Sequence, residues 1–136
     1  MITATPYQDR PLKIEPEMNV GDDAYFHAAA DGKLLIKKCG TCHKYHHYPR
    51  ALCPYCFSPD VFWTEAGGAG TIYSCSVLGR ADSLPHCIAY VELDEGPRML
   101  TNIVDCDLDT VKIGQRVRIT FKMTVGGVSL PMFIPA

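Results

Sequence analysis

Four cysteines in two C-x-x-C pairs constrain the fold of this chain more than any other feature. The pairs are Cys39-x-x-Cys42 and Cys53-x-x-Cys56, with ten residues between them. Two such pairs can place four thiolates at the corners of a tetrahedron, which is the closed arrangement of a structural Zn²⁺ site. We therefore predict that Cys39, Cys42, Cys53 and Cys56 together bind one structural metal ion.

Other interpretations of these cysteines are core packing, disulfides and iron. The segment at 44–50 reads Lys-Tyr-His-His-Tyr-Pro-Arg and is too polar for a buried strand, which argues against unligated core cysteines. Residues 1–10 contain no apolar run of the secretory type, so we expect a reducing cytoplasmic compartment rather than disulfides. A rubredoxin-like iron site is an open alternative, because four sulfur ligands suit both metals.

The size and overall charge of the chain limit the functions that it can have. The 136 residues leave room for one ordinary domain and a small metal module. Charged residues make up 21% of the chain, and no apolar run is long enough to cross a bilayer, so we expect a soluble protein without a membrane partner. The formal charge of −2 argues against a protein built mainly to bind nucleic acid.

The charge around the cysteines differs from the overall charge. No acidic residue lies between Asp31 and Asp60. Because four thiolates on a dication contribute about −2, the metal module keeps a net charge of about +3. An anionic partner could bind there, or the cations could simply screen the metal centre and face solvent. The basic residues are Lys33, Lys37, Lys38, Lys44 and Arg50.

The N-terminal third predicts an arm, a helix and the start of a ribbon. Prolines at positions 6, 11 and 16 predict an extended arm at residues 1–18. Asn19 can cap a helix at 20–30, and Asp31-Gly32 can end it. Residues 33–38 predict a strand leading into the first cysteine pair, with 45–48 returning beside it. The predicted segments are 1–18 (arm), 19–32 (helix), 33–66 (zinc ribbon) and 67–136 (barrel).

From Gly70 onward the hydrophobic pattern has a period of two residues, which is typical of strands. At least five strands joined by short turns predict a small closed barrel, and an OB-fold is the natural candidate. The pattern alone does not separate it from an SH3-like barrel or a small sandwich. We interpret the glycines at 67–70 as a bend or bulge. In the segment at 115–123, Val117, Ile119, Phe121 and Met123 predict one buried face. The predicted strands are 71–78, 87–93, 99–104, 115–123 and 128–134, with a turn at Asp94-Glu95-Gly96-Pro97 between the second and the third.

The remaining reactive residues do not form a catalytic site. His86 and Cys87 are adjacent on a predicted strand, so their side chains point to opposite faces and cannot form a dyad. Four thiolates leave no open metal position for a water molecule. We predict no catalytic residue in this chain. We interpret Cys75, Cys87 and Cys106 as small core residues, and His43, His46 and His47 as surface groups or neighbours of the metal ligands.

The order of a short helix, a four-cysteine ribbon and an OB-like barrel resembles the domain of unknown function 35 family. These zinc-ribbon and OB-fold proteins accompany acyl-CoA enzymes. His43 and Tyr48 depart from the family pattern, where glycine and a second proline are common, but neither alters the metal ligands. Besides the cysteine pairs, the matching stretches are Tyr-Phe (25–26), Gly-Lys-Leu (32–34), Tyr-Pro-Arg (48–50), GAGTIYS (68–74), AYVELDEGPR (89–98) and LPMFIP (130–135).

The resemblance implies a function as an accessory subunit that is not catalytic alone. Members of this family partner thiolase-fold enzymes, including thiolases, acyltransferases and aldolases, and some pair with hydratases. They are thought to help bind or channel CoA thioesters. The basic ribbon would then contact the phosphates of CoA or acyl-CoA, and the candidate residues are Lys37, Lys38, Arg50 and Arg80.

Two alternative functions follow from the same features. Zinc ribbons and OB-folds both occur in nucleic-acid-binding modules, and Tyr45, Tyr48 and Tyr55 near Arg50 could form a stacking platform. An iron ion in the four-cysteine site would instead make the chain a rubredoxin-like electron carrier.

Overall fold

The computed structural model describes residues 15–80 and 83–136 and contains a short helix, a three-stranded ribbon sheet and a closed barrel. This confirms the predicted mainly β fold class. The predicted arm at 1–18 lies outside the described residues except for its last four. The elements are α1 (Asp23–Ala30), β1 (Leu35–Cys39), β2 (Tyr45–His46), β3 (Val61–Glu65), β4 (Ala69–Arg80), β5 (Ser83–Leu93), β6 (Arg98–Ile103), β7 (Arg116–Met123) and β8 (Ser129–Pro135), with a 3₁₀ turn at Leu108–Thr110.

Helix α1 begins three residues later than the predicted start at Val20. Gly21 has a φ of +94°, which is incompatible with a helix, and Val20 is fully exposed rather than buried. Asp22 is the residue before the helix, and its carboxylate accepts a hydrogen bond from the Asn19 amide at 2.9 Å. Within residues 15–80 and 83–136, no helix combines the length and hydrophobicity that a bilayer-spanning helix requires.

The ribbon sheet has the strand order β2-β1-β3, and all of its pairings are antiparallel. Lys37 lies opposite both His46 on β2 and Trp63 on β3. The predicted return of the chain beside β1 is therefore confirmed, although β2 is only two residues long. Cys39 is the last residue of β1, so the central strand of this sheet delivers the first cysteine.

The barrel closes in the strand order β4-β5-β6-β8-β7. The β5–β6 turn follows its predicted chemistry, because the Gly96 amide donates to the Leu93 carbonyl at 2.8 Å and Gly96 has a φ of +119°. A Cβ atom on Gly70 would lie 2.6 Å from the Glu92 carbonyl oxygen, so glycine allows a close approach of β4 and β5 there. The two register shifts of this pairing lie between Ile72 and Ser74 and between Leu78 and Arg80, instead of within the glycine run.

The ribbon and the barrel share one hydrophobic core. Leu34, Ile36 and Ala66 of the ribbon segment belong to the same buried cluster as Val91 and Phe133 of the barrel. On β7 the predicted inward face begins with buried Val117 but ends with exposed Met123, so the prediction was wrong at the strand end. The shared core fixes the position of the cysteine ribbon relative to the barrel.

The first described residues are also fixed to the barrel. One carboxylate oxygen of Glu15 accepts a hydrogen bond from the Thr124 hydroxyl at 2.5 Å, and the other accepts one from the Gly126 amide at 3.0 Å. Thr124 is buried, and its hydroxyl also accepts a hydrogen bond from the Val128 amide. These contacts join residues more than 100 positions apart in the sequence.

Candidate metal centre and adjoining cleft

The four cysteines that the sequence predicted as ligands come together at one end of the ribbon. Their Sγ atoms all lie within 4.8 Å of one another. The Cys39–Cys56 and Cys42–Cys53 Sγ pairs are each 3.6 Å apart. A tetrahedral site with metal–sulfur distances of about 2.3 Å has sulfur–sulfur edges of about 3.8 Å. The cysteines therefore have the spacing of a four-coordinate metal site.

Backbone amides around the cysteines favour the thiolate form that a metal requires. The amides of Thr41 and Cys42 donate to Cys39 Sγ at 3.3 and 3.4 Å, and the Tyr55 amide donates to Cys53 Sγ at 3.4 Å. The hydrogen bonds from the amides of Cys42 and Thr41 lower the pKa of the Cys39 thiol to about 6. This donor set fits a soft dication, and it supports a structural metal at the four-cysteine cluster.

The two cysteine pairs have the same local backbone, which sequence reasoning recognised only in part. The His43 amide donates to the Cys39 carbonyl at 3.0 Å, and the Phe57 amide donates to the Cys53 carbonyl at 2.9 Å. Both residues occupy the left-handed region, with φ values of +65° and +62°. The sequence identified His43 as a non-glycine residue at a glycine position, but missed Phe57. Phe57 directly follows the second C-x-x-C pair, as His43 follows the first, and this equivalence could have predicted its left-handed conformation.

The three histidines near the ribbon have different environments. His43 is exposed, as predicted. His46 is buried, which excludes the surface alternative of its prediction, and neither of its ring nitrogens has a hydrogen-bond partner among the described residues. His47 Nε2 lies 3.2 Å from the Tyr25 hydroxyl. The structure thus places His47 in a contact with α1 rather than at the cysteines.

Among the predicted phosphate contacts whose side chains the structure describes, Lys37, Lys38 and Arg50, the ribbon sheet separates Lys38 from the other two. Lys37 and Lys38 are neighbours on β1, so their side chains lie on opposite faces of the ribbon sheet. Lys37 Nζ lies 4.9 Å from the centre of the Trp63 ring and donates to the Arg50 carbonyl at 3.4 Å. Lys38 Nζ lies over Tyr45 instead. Arg80 ends β4 in the barrel. Only Lys37 and Arg50 have a described contact with each other.

Beside Arg50 lies a cleft of about 550 Å³ between helix, ribbon and barrel. It is lined by residues of the 17–22 segment, α1, the 47–50 segment, β6 and β8. The Tyr25–His47 pair lines it, and burial raises the pKa of Tyr25 well above its ordinary value and lowers the pKa of His47 to about 4. Both groups are therefore uncharged at neutral pH. The sequence did not predict this cleft, because its walls come from separate segments.

The cysteines outside the ribbon lie in the hydrophobic core or pack against it, as predicted. Cys87 is fully buried, and Cys75 and Cys106 pack against the same core cluster. Burial, together with the nearby Cys75 and Cys106, raises the pKa of the Cys87 thiol to about 11, so little thiolate exists at neutral pH. Burial also raises the pKa of the Cys106 thiol.

Two family models match most of the chain. The rubredoxin-like zinc ribbon domain of ChsH2 matches residues 26–61, and the C-terminal OB-fold domain of ChsH2 matches residues 63–122. The boundary between the two models falls at the start of β3. Both predicted components are therefore present in their predicted order.

Curated relatives extend the similarity. A probable enoyl-CoA hydratase alpha subunit of Thermomonospora curvata is 34% identical over 136 residues, which is 97% of this chain but 43% of that protein. This chain thus spans less than half the length of that relative. A DUF35 domain-containing scaffold protein of Methanothermobacter thermautotrophicus is 35% identical over 95 residues, covering 65% of this chain and 71% of that protein.

Two solved structures share the fold. A chain of the Ltp2-ChsH2(DUF35) aldolase is 34% identical with a TM-score of 0.77, covering 89% of this chain and 98% of that one. A DUF35 protein of unknown function from Sulfolobus solfataricus is 17% identical with a TM-score of 0.63, which supports the fold alone. Since the ribbon, the barrel and their order all agree with these relatives, the chain belongs to the DUF35 family of zinc-ribbon and OB-fold proteins.

Proposed function

We propose that this chain is a non-catalytic accessory subunit of an acyl-CoA-processing complex and that its partner is a thiolase-fold enzyme. One observation carries the proposal: the similarity extends over 98% of a chain from an Ltp2-ChsH2(DUF35) aldolase. The thiolase fold of the partner follows from the family resemblance. The hydratase alpha subunit among the relatives agrees with acyl-CoA chemistry.

The composition of the metal centre supports a structural role. Four cysteines would hold a Zn²⁺ ion in a closed site, and the ion would supply rigidity to the ribbon, since no ligand position remains for water or substrate. We propose Zn²⁺ rather than iron, in agreement with the zinc-ribbon family model. The high pKa of the buried Cys87 thiol supports the absence of a nucleophile in the described core.

The first test is reconstitution with the partner. We expect the purified chain to show no turnover of acyl-CoA. It should retain a thiolase-fold enzyme from native lysate, and adding it to that purified enzyme should raise the enzyme's activity or its thermal stability. Turnover assays of the chain, of the enzyme and of the mixture measure this. A partner that is fully active and stable alone, or a chain that turns over substrate by itself, would contradict the proposal.

We propose further that Lys37 and Arg50 contact CoA phosphates at the mouth of the cleft. Arg50 lines the cleft, and Lys37 Nζ reaches the Arg50 carbonyl at 3.4 Å, so both cations belong to one region of the surface. The cleft volume of about 550 Å³ lies within the range of small-molecule sites. Lys38 lies on the opposite face of the sheet and Arg80 ends a barrel strand, so neither joins this pair in the proposal.

Replacing both Lys37 and Arg50 with alanine should weaken CoA binding by the reconstituted complex about 10- to 100-fold. Each cation would make a charge-assisted hydrogen bond worth about 1.5–3 kcal/mol, and screening by solvent reduces this contribution. The variant loses both contacts. Isothermal titration of the complex with CoA measures the change. Lys38→Ala is the matched control and should change the affinity less than about threefold. Equal losses in the two variants would refute the assignment.

A further inference from the structure

Phe57 is unfavourable in its position for two independent reasons. Its φ of +62° lies in the left-handed region, where a bulky side chain is strained and glycine is preferred. Its side chain is also 74% exposed, so the ring gains little packing within the chain. Unlike the exposed His43 at the equivalent position, Phe57 presents a large apolar ring to solvent, and such a ring is a candidate for contact with another protein.

Two more apolar side chains are exposed in the same loop. Leu52 is 50% exposed and Tyr55 is 54% exposed. The loop closes on itself, because the Cys53 amide donates to the Ser58 carbonyl at 2.9 Å. Leu52, Tyr55 and Phe57 therefore extend from one end of the ribbon, and we call them the second-knuckle surface. Exposed apolar groups concentrated at one place are typical of protein interaction sites.

We infer that the second-knuckle surface docks the chain onto its enzyme subunit, with Phe57 inserted into an apolar pocket that carboxylates surround. This inference rests on the proposed function and names the contact through which it operates. Charge complementarity specifies the pocket. Lys44 Nζ lies 4.9 Å from the centre of the Tyr55 ring, and the chain has no acidic residue from position 32 to 59. A pocket on the enzyme with an acidic rim would therefore complement the positive charge of the ribbon.

The observations favour the enzyme over two other occupants. A symmetric pairing of two copies through this surface would bring two basic ribbons together, which like-charge repulsion opposes. Single-stranded nucleic acid would need aromatic stacking platforms beside cations, but Leu52 cannot stack on a base, and the chain has a net charge of −2. An aromatic anchor in an apolar pocket is the usual centre of a protein–protein interface.

The decisive variant is Phe57→Gly, because it should change stability and binding in opposite directions. Glycine relieves the left-handed strain, so the thermal midpoint of the metal-loaded full chain should rise by about 2–5 °C. Loss of the anchor should weaken binding to the enzyme by about 30-fold or more. The probe is the purified enzyme subunit that the wild-type chain retains from lysate, measured by biolayer interferometry.

His43→Gly is the matched control. His43 occupies the equivalent position after the first cysteine pair, with a φ of +65°. This variant should show a similar rise in thermal midpoint and an affinity within threefold of the wild type. If Phe57→Gly binds the enzyme as tightly as His43→Gly does, the inference is overturned while the proposed function stands. A wild-type chain that retains no enzyme overturns both.

A second variant covers the case in which Phe57→Gly lowers the thermal midpoint. Leu52→Ser changes an exposed side chain whose backbone lies outside the left-handed region, and it should weaken enzyme binding about 10-fold. Binding within threefold of the wild type would overturn the inference. Self-association that depends on Phe57 in sedimentation experiments would overturn the inference in favour of a second copy of the chain. Binding of a fluorescent oligothymidine that depends on Phe57 and weakens steeply with salt would overturn it in favour of single-stranded nucleic acid.

Discussion

Replacing Cys39 and Cys53 together with serine should remove the metal and unfold the ribbon. Both cysteines are buried, and together they supply one ligand from each C-x-x-C pair. Metal binding at structural zinc sites contributes about 10–16 kcal/mol, which is free energy of folding for a small ribbon. Leu34 and Ile36 of the ribbon segment are buried in the core that the ribbon shares with the barrel, so the barrel should also lose stability. Elemental analysis and thermal unfolding followed by circular dichroism measure both effects.

Cys75→Ala is the control for the metal centre. Cys75 is a half-buried cysteine outside the ribbon that packs against the core, so its loss should leave one metal ion per chain and lower stability by only about 1 kcal/mol. Elemental analysis of freshly purified, reduced wild-type protein also separates zinc from iron. A fully folded C39S/C53S protein would contradict the metal assignment. Rapid reaction of all four ribbon cysteines of the wild-type protein with a thiol reagent would contradict it as well.

Phe133→Ala should destabilise the chain by about 4 kcal/mol, the second largest effect that we expect. Phe133 is 0% exposed and lies opposite Ile119 on β7 and Ile103 on β6, where a single parallel pairing closes the barrel. Removing the ring leaves a cavity at this closure, and buried Phe→Ala replacements cost about 3–5 kcal/mol. Urea denaturation of the metal-loaded chain measures the loss.

Ile113→Ala is the matched control for the barrel. Ile113 is 69% exposed in the loop before β7, so its truncation should change the free energy of unfolding by less than about 0.5 kcal/mol. A loss below about 1 kcal/mol for Phe133→Ala would mean that Phe133 does not hold the barrel closed. If the free energy of unfolding of this variant falls less steeply with urea concentration than that of the wild type, the variant has a partly open native state rather than a cavity.

Short-range patterns explain why much of the fold could be predicted. The C-x-x-C spacing confines two ligands to one turn of backbone, so the sequence could identify all four cysteines without tertiary information. Alternating apolar residues predicted the barrel strands, and Asp94-Glu95-Gly96-Pro97 predicted the turn between β5 and β6. In each case the determining interactions lie within a few residues of one another in the chain.

The features that the sequence did not show depend on conformations or distant contacts that no local pattern encodes. The helix starts at Asp23 because Gly21 adopts a positive φ, although Val20 fits the apolar pattern of a helix. His46 is buried because β2 lies beside β1, and a histidine gives no sign in sequence of which side of a sheet it will face. Lys37 and Lys38 are adjacent in sequence, but the strand places them on opposite faces of the ribbon.

The sequence by itself determined the four-cysteine cluster, the order of helix, ribbon and barrel, and the family to which they belong, because each of these depends on the spacing of nearby residues. Only the tertiary structure decided that the ribbon and the barrel share a core, that a cleft forms beside Arg50, and that Phe57 is both strained and exposed. These features depend on contacts between distant segments and on backbone angles, which form only when the whole chain packs.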